Sequence, residues 1–481
     1  MTARSPGLTA AAGSANWPAT VRGPRGRSSA AVLAYTMAHP LEGYARLRDT
    51  YGDAVRVAMG PFPDRFLLSR PEHAEHVLAT HQDNYVKSAS YKGLRALIGD
   101  GLLTSEGQDW RRHRRLIQPV FSRRDVLMFG PAMTQASGRL LAGWADLPAD
   151  AELKVAAQLS GLTLDIIGSA LFGADLAGDA AGMGKTIAAG QRLGLVAGLL
   201  RLPWGPHSER LLKSAAVRLS GTPGGIYGFV AALVAARRER GVNSGETGRR
   251  DLLDVLLSAG AEAGQELTDE EIAAEATTFL LAGHETSSNG LSWTLALLSA
   301  YPEARRRLEA EIDDGLDGRE PEAADVARLP WTTAVIREAL RLYPPAWTIE
   351  RNAVSADRIA GIDIPAGSVV TVPPYLIHRH PEFWPDPVGF DPARFHSAEP
   401  AGQAAVPRLT APDHANFAYL PFGGGRRACI GQSFAELEMA LVLAAITQNY
   451  RLDLTAGGMP EPVAGITLRP AQGLPMRLVR R

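Results

Sequence analysis

The chain has one cysteine, Cys429, among 481 residues. A single thiol excludes a disulfide framework within the chain and a multi-cysteine zinc site. Lysine is nearly absent too, with only Lys87, Lys92, Lys154, Lys185 and Lys213. Arginine supplies the rest of the basic complement, a bias that points to GC-rich coding and not to function. Neither sign of charge dominates: 50 basic residues against 51 acidic ones leave a formal charge of −1. That balance argues against nucleic acid as the main partner. No apolar run reaches about eighteen residues, so no integral membrane segment is expected. No repeat recurs at a period of about twenty to fifty residues. No acidic residue precedes Glu42. Residues 1–40, rich in Ala, Gly, Ser, Pro and Arg, read as a flexible N-terminal extension. A targeting transit segment has the same composition.

What is present is an ordinary globular composition, 46% hydrophobic and 21% charged. The length suits a large core, and length alone suggests about three domains. From Leu41 onward the apolar residues recur mostly three and four apart, as in Glu152–Phe172 and Asp269–Ala300, which predicts helices. Val55–Met59, Arg65–Ser69 and Ser368–Val372 read as short strands bounded by Gly, Pro and Asp. Gly241–Gly248 reads as a polar loop. The expected fold class is mainly α with a small β region.

Three motifs mislead. Gly182–Thr186 (G-M-G-K-T) suggests a phosphate loop, but the spacing fails and no strand precedes it. His284-Glu285 opens like a zinc-protease motif, yet Ser288 stands where the second His is needed. The basic cluster Arg111–Arg115 invites a phosphate site, and its surroundings suggest otherwise.

Residues 420–431 read L-P-F-G-G-G-R-R-A-C-I-G. Three consecutive glycines imply backbone shapes or close approaches that side chains forbid. Phe434, Leu437, Leu441 and Ala444 then fall on one helical face, which puts Cys429 just before a helix N-terminus. Unpaired N–H groups and the helix dipole favour a thiolate there. One thiolate cannot close a zinc site, but it can be the axial ligand of a haem iron. The bland alternative for a lone Cys is a buried structural residue.

The spacing Phe422, Gly425, Arg427, Cys429, Gly431 resembles the haem-ligand signature of the cytochrome P-450 family of haem-thiolate monooxygenases. The layout from about Leu41 to Arg481 is similar to that family throughout, including Thr467-Leu468-Arg469-Pro470. The resemblance implies one large haem-thiolate domain over residues 41–481, overriding the three-domain expectation. It implies haem b with Cys429 as proximal iron ligand and Phe422 and Gly431 shaping the loop. Ala282-Gly283-His284-Glu285-Thr286-Ser287 lies mid-way along a helix opened by a capping box, Thr268 to Glu271. It resembles the family's oxygen-side motif. By that resemblance Thr286 supports proton delivery and Glu285 belongs to the acid relay. Ala282 and Gly283 would leave space over the iron.

Glu338 and Arg341 resemble the family's Glu-x-x-Arg, and Phe390, Pro392, Arg394 and Phe395 its downstream partner segment. Glu338, Arg341 and Arg394 are then a buried structural network. Trp110 and Arg114, four apart on one face of the helix Glu106–Pro119, resemble the family's Trp-x-x-x-Arg. With Arg351 and Arg427 they would hold the haem propionates. Arg111, Arg112 and Arg115 would form a basic patch for an acidic electron donor.

The expected pocket residues are Phe279, Ala346, Trp347, Ile349 and Ile466, together with the segment Val86–Leu102. They are mostly apolar, with Arg95 the one candidate to grip a carboxylate. The resemblance therefore implies insertion of one oxygen atom from dioxygen into a hydrophobic small molecule, a terpenoid or other lipid-like compound. Electrons would come from NAD(P)H through a ferredoxin or flavodoxin-type donor and its reductase, since 481 residues leave no room for a fused reductase. A cytoplasmic monomer is the expected setting. Desaturation, oxidative coupling or peroxide-driven oxidation at the same haem, or a non-catalytic haem-binding role, are the alternatives.

Overall fold

Apolar residues at helical spacing wind most of the chain around one central helix, Asp269–Ala300. A computed structural model describes residues 21–24, 27–60, 63–88, 90–173, 225–240, 251–258, 266–396, 415–455 and 457–481. The segments Gly182–Thr186 and Gly241–Gly248 lie outside these residues.

The central helix starts where the sequence says it should. Thr268 Oγ1 accepts the Glu271 N–H, and the Glu271 carboxylate accepts the Thr268 N–H. Asp269, Glu270 and Glu271 then sit on the positive end of the dipole. The helix stops at Tyr301, ahead of Pro302, which cannot continue it. It is buried on nearly every side, so it is a core helix and not an amphipathic surface one. Helices Val155–Phe172, Gly225–Arg240, Pro330–Leu342 and Gln432–Asn449 pack around it.

The β part is small and divided. The largest sheet has five strands, in the order Ala54–Val57, Arg65–Leu68, Val369–Val372, Ile349–Ala353, Tyr85–Lys87. Arg65–Leu68 and Val369–Val372 run parallel, with Phe66 opposite Val370. The other pairs in that sheet are antiparallel. A three-stranded sheet joins Glu152–Lys154, Pro475–Arg480 and Tyr450–Leu454. Two hairpins, Asp357–Ile359 with Ile362–Ile364 and Pro462–Ala464 with Leu468–Pro470, complete the strands among the described residues.

Two expected boundaries shift. The helix predicted from Glu152 begins at Val155, because Leu153 pairs with Met476 as a strand and the Val155 N–H is taken by Leu474 O. Within Val86–Leu102, Ser90–Ile98 is a helix. The stretch expected as an extension contains the helix Arg27–Ala38, which is followed directly by Pro40–Tyr51. One contiguous apolar core runs from Leu102 to Leu478 and draws on most helices, so the protein is one large domain.

Candidate active site

The cysteine loop is shaped by its glycines. Gly423 and Gly425 hold φ of 72° and 67°, the left-handed region that side chains disfavour. A Cβ on Gly425 would stand 1.8 Å from the carbonyl oxygen of Leu78, so no other residue fits there. The turn is closed by the Cys429 N–H donating to Phe422 O at 2.8 Å. Gly431 caps the helix Gln432–Asn449, and its N–H hydrogen-bonds the Cys429 sulfur. Phe422 and Ile430 anchor the loop to the main core.

Burial pushes the Cys429 thiol up from its ordinary value, while the Gly431 N–H and the Arg114 charge pull it down. Burial wins, so the helix end alone does not produce a thiolate. The residue is nonetheless accessible. A bound cation would supply the remaining stabilisation of the thiolate.

Cations converge beside that loop. Arg114, on the helix Gly107–Ile117, donates to Ala428 O at 2.9 Å and to Gln118 Oε1 at 3.2 Å. Buried Trp110 lies on the same helix, and the Arg427 guanidinium stacks 4.2 Å from its ring centre. Arg427 pairs with Glu106 and donates to Ser105 O. Arg351 is buried on its strand and donates to the Glu350 carbonyl at 2.9 Å, its one side-chain bond among the described residues.

Lys87 stands opposite Arg351 in the antiparallel pair. Its Nζ donates to Leu102 O and Ser105 O at 3.0 and 2.9 Å. Burial, then the Arg427 charge, lowers its pKa to about 7. Lys87 was not foreseen from the sequence. Its one visible signal was being a lysine in an arginine-rich chain.

Arg114 and Arg351 have no carboxylate partner among the described residues. Buried cations left without counterions are costly, so this donor set is built for an anion. A haem, with two propionates and an iron that takes a thiolate, matches both halves of the site. The residues present fit the group.

The central helix passes through Ala282–Ser287 without a break. Thr286 Oγ1 donates to Ala282 O at 2.5 Å, one turn back. Ala282 is exposed, with half-buried Leu281, Gly283, Glu285 and Thr286 around it. Gly283 does not contribute to that space as expected. A Cβ there would meet Ile167 Cδ1 at 3.0 Å, so the glycine admits the helix Val155–Phe172 instead. The Glu285 carboxylate accepts the Thr467 hydroxyl at 2.7 Å, and Thr467 Oγ1 accepts from Asn289 at 3.1 Å.

His284 is turned into the core. Its Nε2 meets Ser160 Oγ at 2.7 Å, and burial lowers its pKa to about 4. Glu438 was not foreseen. It lies fully buried on the helix Gln432–Asn449, where burial pushes it up to about 8 against the effect of Ser287 on the central helix.

The expected pocket residues are only partly gathered. Phe279 is buried 5.2 Å from the Phe121 ring centre. Ala346 and Ile466 are exposed and Ile349 is half-buried. The segments of Ala346 and Ile466 are joined by the Leu468 N–H to Pro345 O bond, at 3.0 Å. Trp347 is a strut: its indole N–H donates to Gly465 O at 3.0 Å, and its ring packs against Tyr44. Arg95 is committed to Asp100 at the surface, so it does not stand ready for a substrate carboxylate.

Glu338, Arg341 and Arg394 meet in a buried cluster. Arg341 Nε and Nη2 donate to the two Glu338 oxygens at 2.7 and 2.8 Å. Its remaining N–H groups reach His378 O, Pro387 O and Gly389 O. Arg394 Nε reaches Glu338 Oε1 at 3.3 Å. Phe390, Pro392 and Phe395 are buried beside it. His378 ties this cluster to the cysteine loop, since its Nε2 accepts the Leu420 N–H at 2.7 Å. Its other nitrogen must then donate to Arg341 O, at 3.1 Å.

The outer arginines separate. Arg111, Arg115 and Arg426 are exposed, with Asp83 between Arg111 and Arg426. Arg112 leaves the expected patch, because it pairs with Glu271 on the central helix.

The family model described as Cytochrome P450 matches residues 30–473. The chain is 36% identical over 427 residues to putative cytochrome P450 132 of Mycobacterium tuberculosis, covering 85% of this chain and 86% of that protein. It is 32% identical to pentalenene oxygenase of Streptomyces avermitilis, covering 92% and 94%. The crystal structure of the cytochrome P450DA heme domain superimposes with a TM-score of 0.79 at 24% identity, over 96% of this chain and 98% of that one. That structural likeness shows the fold.

Proposed function

Because the chain belongs to the cytochrome P450 family of monooxygenases, we propose that it hydroxylates a compact apolar molecule, with terpenoids the favoured class. The observation that carries this reading is the accessible Cys429 thiol beside Arg114 and Arg351, which have no carboxylate partner among the described residues. On the central helix, Ala282 is exposed and Thr286 is half-buried. Pentalenene oxygenase, a relative at 32% identity, is named for oxygenating a terpenoid.

When bound, haem supplies the reductive activation of dioxygen. The protein does the rest. Cys429 would hold the iron, Trp110 and the four cations Lys87, Arg114, Arg351 and Arg427 would hold the propionates, and Phe422 and Gly431 fix the loop. Thr286 already spends its proton on Ala282 O, so its oxygen is left as an acceptor. The Glu285 carboxylate, held in place by the Thr467 hydroxyl, would take up protons from solvent and pass them on in the acid relay. Phe279, Ala346, Ile349 and Ile466 supply the apolar surface that excludes water from the substrate. Arg111, Arg115 and Arg426 receive an acidic ferredoxin or flavodoxin-type donor. No helix among the described residues is long and apolar enough to cross a membrane.

The test is a titration of the ferric holoenzyme with apolar and charged compounds, read by the haem absorption band. A saturable shift to the high-spin form with terpenoids, followed by an oxygenated product carrying one atom of labelled dioxygen, supports the reading. Shifts confined to charged or carrier-bound compounds overturn it.

A further inference from the structure

His76, His81 and Asp357 form a second cluster of metal-ligating side chains, outside the haem cleft. One ligand atom from each lies within 4.8 Å of the others. His76 Nε2 is 2.8 Å from Asp357 Oδ2. The two imidazoles stack, 3.8 Å apart and tilted by only 5°. The backbone explains this meeting. His76–Thr80 is a π-helical turn, and the His81 N–H bonds His76 O, five residues back. Five residues in an α-helix would leave the two rings on different faces, whereas a π-turn brings them onto one face. Asp357 comes from the hairpin strand Asp357–Ile359, remote in sequence. Tyr85 donates to Asp357 Oδ2 at 2.8 Å, the outer-shell bond that orients a ligating carboxylate.

We infer that His76, His81 and Asp357 bind a divalent transition-metal cation of the Zn²⁺ class, with water as the fourth ligand. Two imidazoles and one carboxylate are the donor set that Zn²⁺ takes at bond lengths of about 2.0–2.2 Å. Tetrahedral ligands at that distance lie roughly 3.4 Å apart, so the His76–Asp357 pair must open by about half an ångström while His81 moves in. Stacked rings cannot both aim lone pairs at one ion. His81 is exposed, so its ring turns out of the stack at little cost, and the ion enters from solvent on that side. His76 and Asp357 already face each other, and the ion would replace the proton between them. The ion would clamp the π-turn to the hairpin. That turn packs against the Gly425–Arg427 segment of the cysteine loop. Gln82, one residue past His81, accepts the Arg426 N–H at 3.1 Å. The clamp therefore stiffens the floor of the loop that carries Cys429.

The test is calorimetric titration of ZnCl₂ into the chelator-treated holoenzyme, beside H81A and, as a surface control, H39A. Wild type and H39A should bind one equivalent that H81A binds at least about tenfold more weakly, and zinc should raise Tm in the first two only. H81A removes an exposed side chain, so its haem spectrum and its zinc-free Tm should match wild type and show that it is folded. Y85F should weaken zinc by a smaller factor. Absence of saturable binding in wild type, or equal affinity and equal Tm gain in H81A, overturns the inference. Further equivalents that persist in H81A belong to other surface histidines, and the difference between the two proteins decides.

Discussion

Two arginine clusters in this protein look alike in sequence and differ in structure. The Glu338–Arg341–Arg394 cluster is closed on itself. All five Arg341 N–H groups find protein acceptors, two of them on Glu338. The cluster of Lys87, Arg114, Arg351 and Arg427 is left open, with Glu106 paired to Arg427 and no carboxylate for Arg114 or Arg351. A buried charge satisfied from within holds a fold, and one left unsatisfied waits for a ligand. The contrast is sharper than burial alone, since Arg341 and Arg351 are both buried.

The largest effect should come from breaking the closed cluster. Arg341→Ala leaves Glu338 in the core with only the longer Arg394 contact and the Asp391 N–H, at a cost of about 3–5 kcal/mol. The expected outcome is little soluble holoenzyme, with a lowered urea midpoint in what folds. If R341A folds with normal stability, the cluster is not closed in the sense argued. Cutting the open cluster should spare the fold and weaken the cofactor. Arg351→Ala should keep its circular dichroism and lose roughly tenfold to a hundredfold in haem affinity, the worth of a charge-assisted bond. Competition with an apo-haem acceptor measures it. Lys87→Met should act in the same direction and less, because Lys87 is already bonded to two carbonyls.

A pH titration separates the clusters further. His378 links them and must stay neutral, because its Nε2 accepts a backbone N–H. Burial lowers its pKa to about 3, and those of His284 and His73 to about 4. A histidine with a depressed folded pKa stabilises above its unfolded value near 6.5 and loses that contribution as pH falls toward the folded value. Thermal stability should therefore decline steadily below about pH 6.5. His378→Gln, which can still accept from Leu420, should show a shallower decline. The smallest effect is on the outer wall. Arg115→Glu should leave the haem spectrum and substrate binding unchanged and raise KM for an acidic electron donor severalfold, more at low ionic strength.

The sequence was most informative where function fixes spacing within one short segment. The cysteine loop, the capping box at Thr268 and the pair Glu338/Arg341 are local patterns. Lys87, His378 and Glu438 were not legible. Each matters through a partner far along the chain, and no local pattern encodes that meeting. Gly283 shows the converse. Its motif suggested space for a ligand, but glycine also serves close helix packing, and only the position of Ile167 distinguishes the two. Leu153 was read as helical because its apolar neighbours continue the helical spacing, and the pairing with Met476 overrode it.

The parallel pairing of Arg65–Leu68 with Val369–Val372 has a consequence for synthesis. A ribosome adding about 5–20 residues per second delivers Val370 roughly 15–60 s after Phe66. Until then the first strands have an incomplete sheet and an unpaired edge. The strand that carries Arg351 lies in that same sheet, and Cys429 emerges later still. The nascent chain therefore cannot assemble its cofactor cradle in stages from the N-terminus. Cofactor capture is confined to the end of translation, and a truncation before Val369 yields a chain with an incomplete sheet and no cradle.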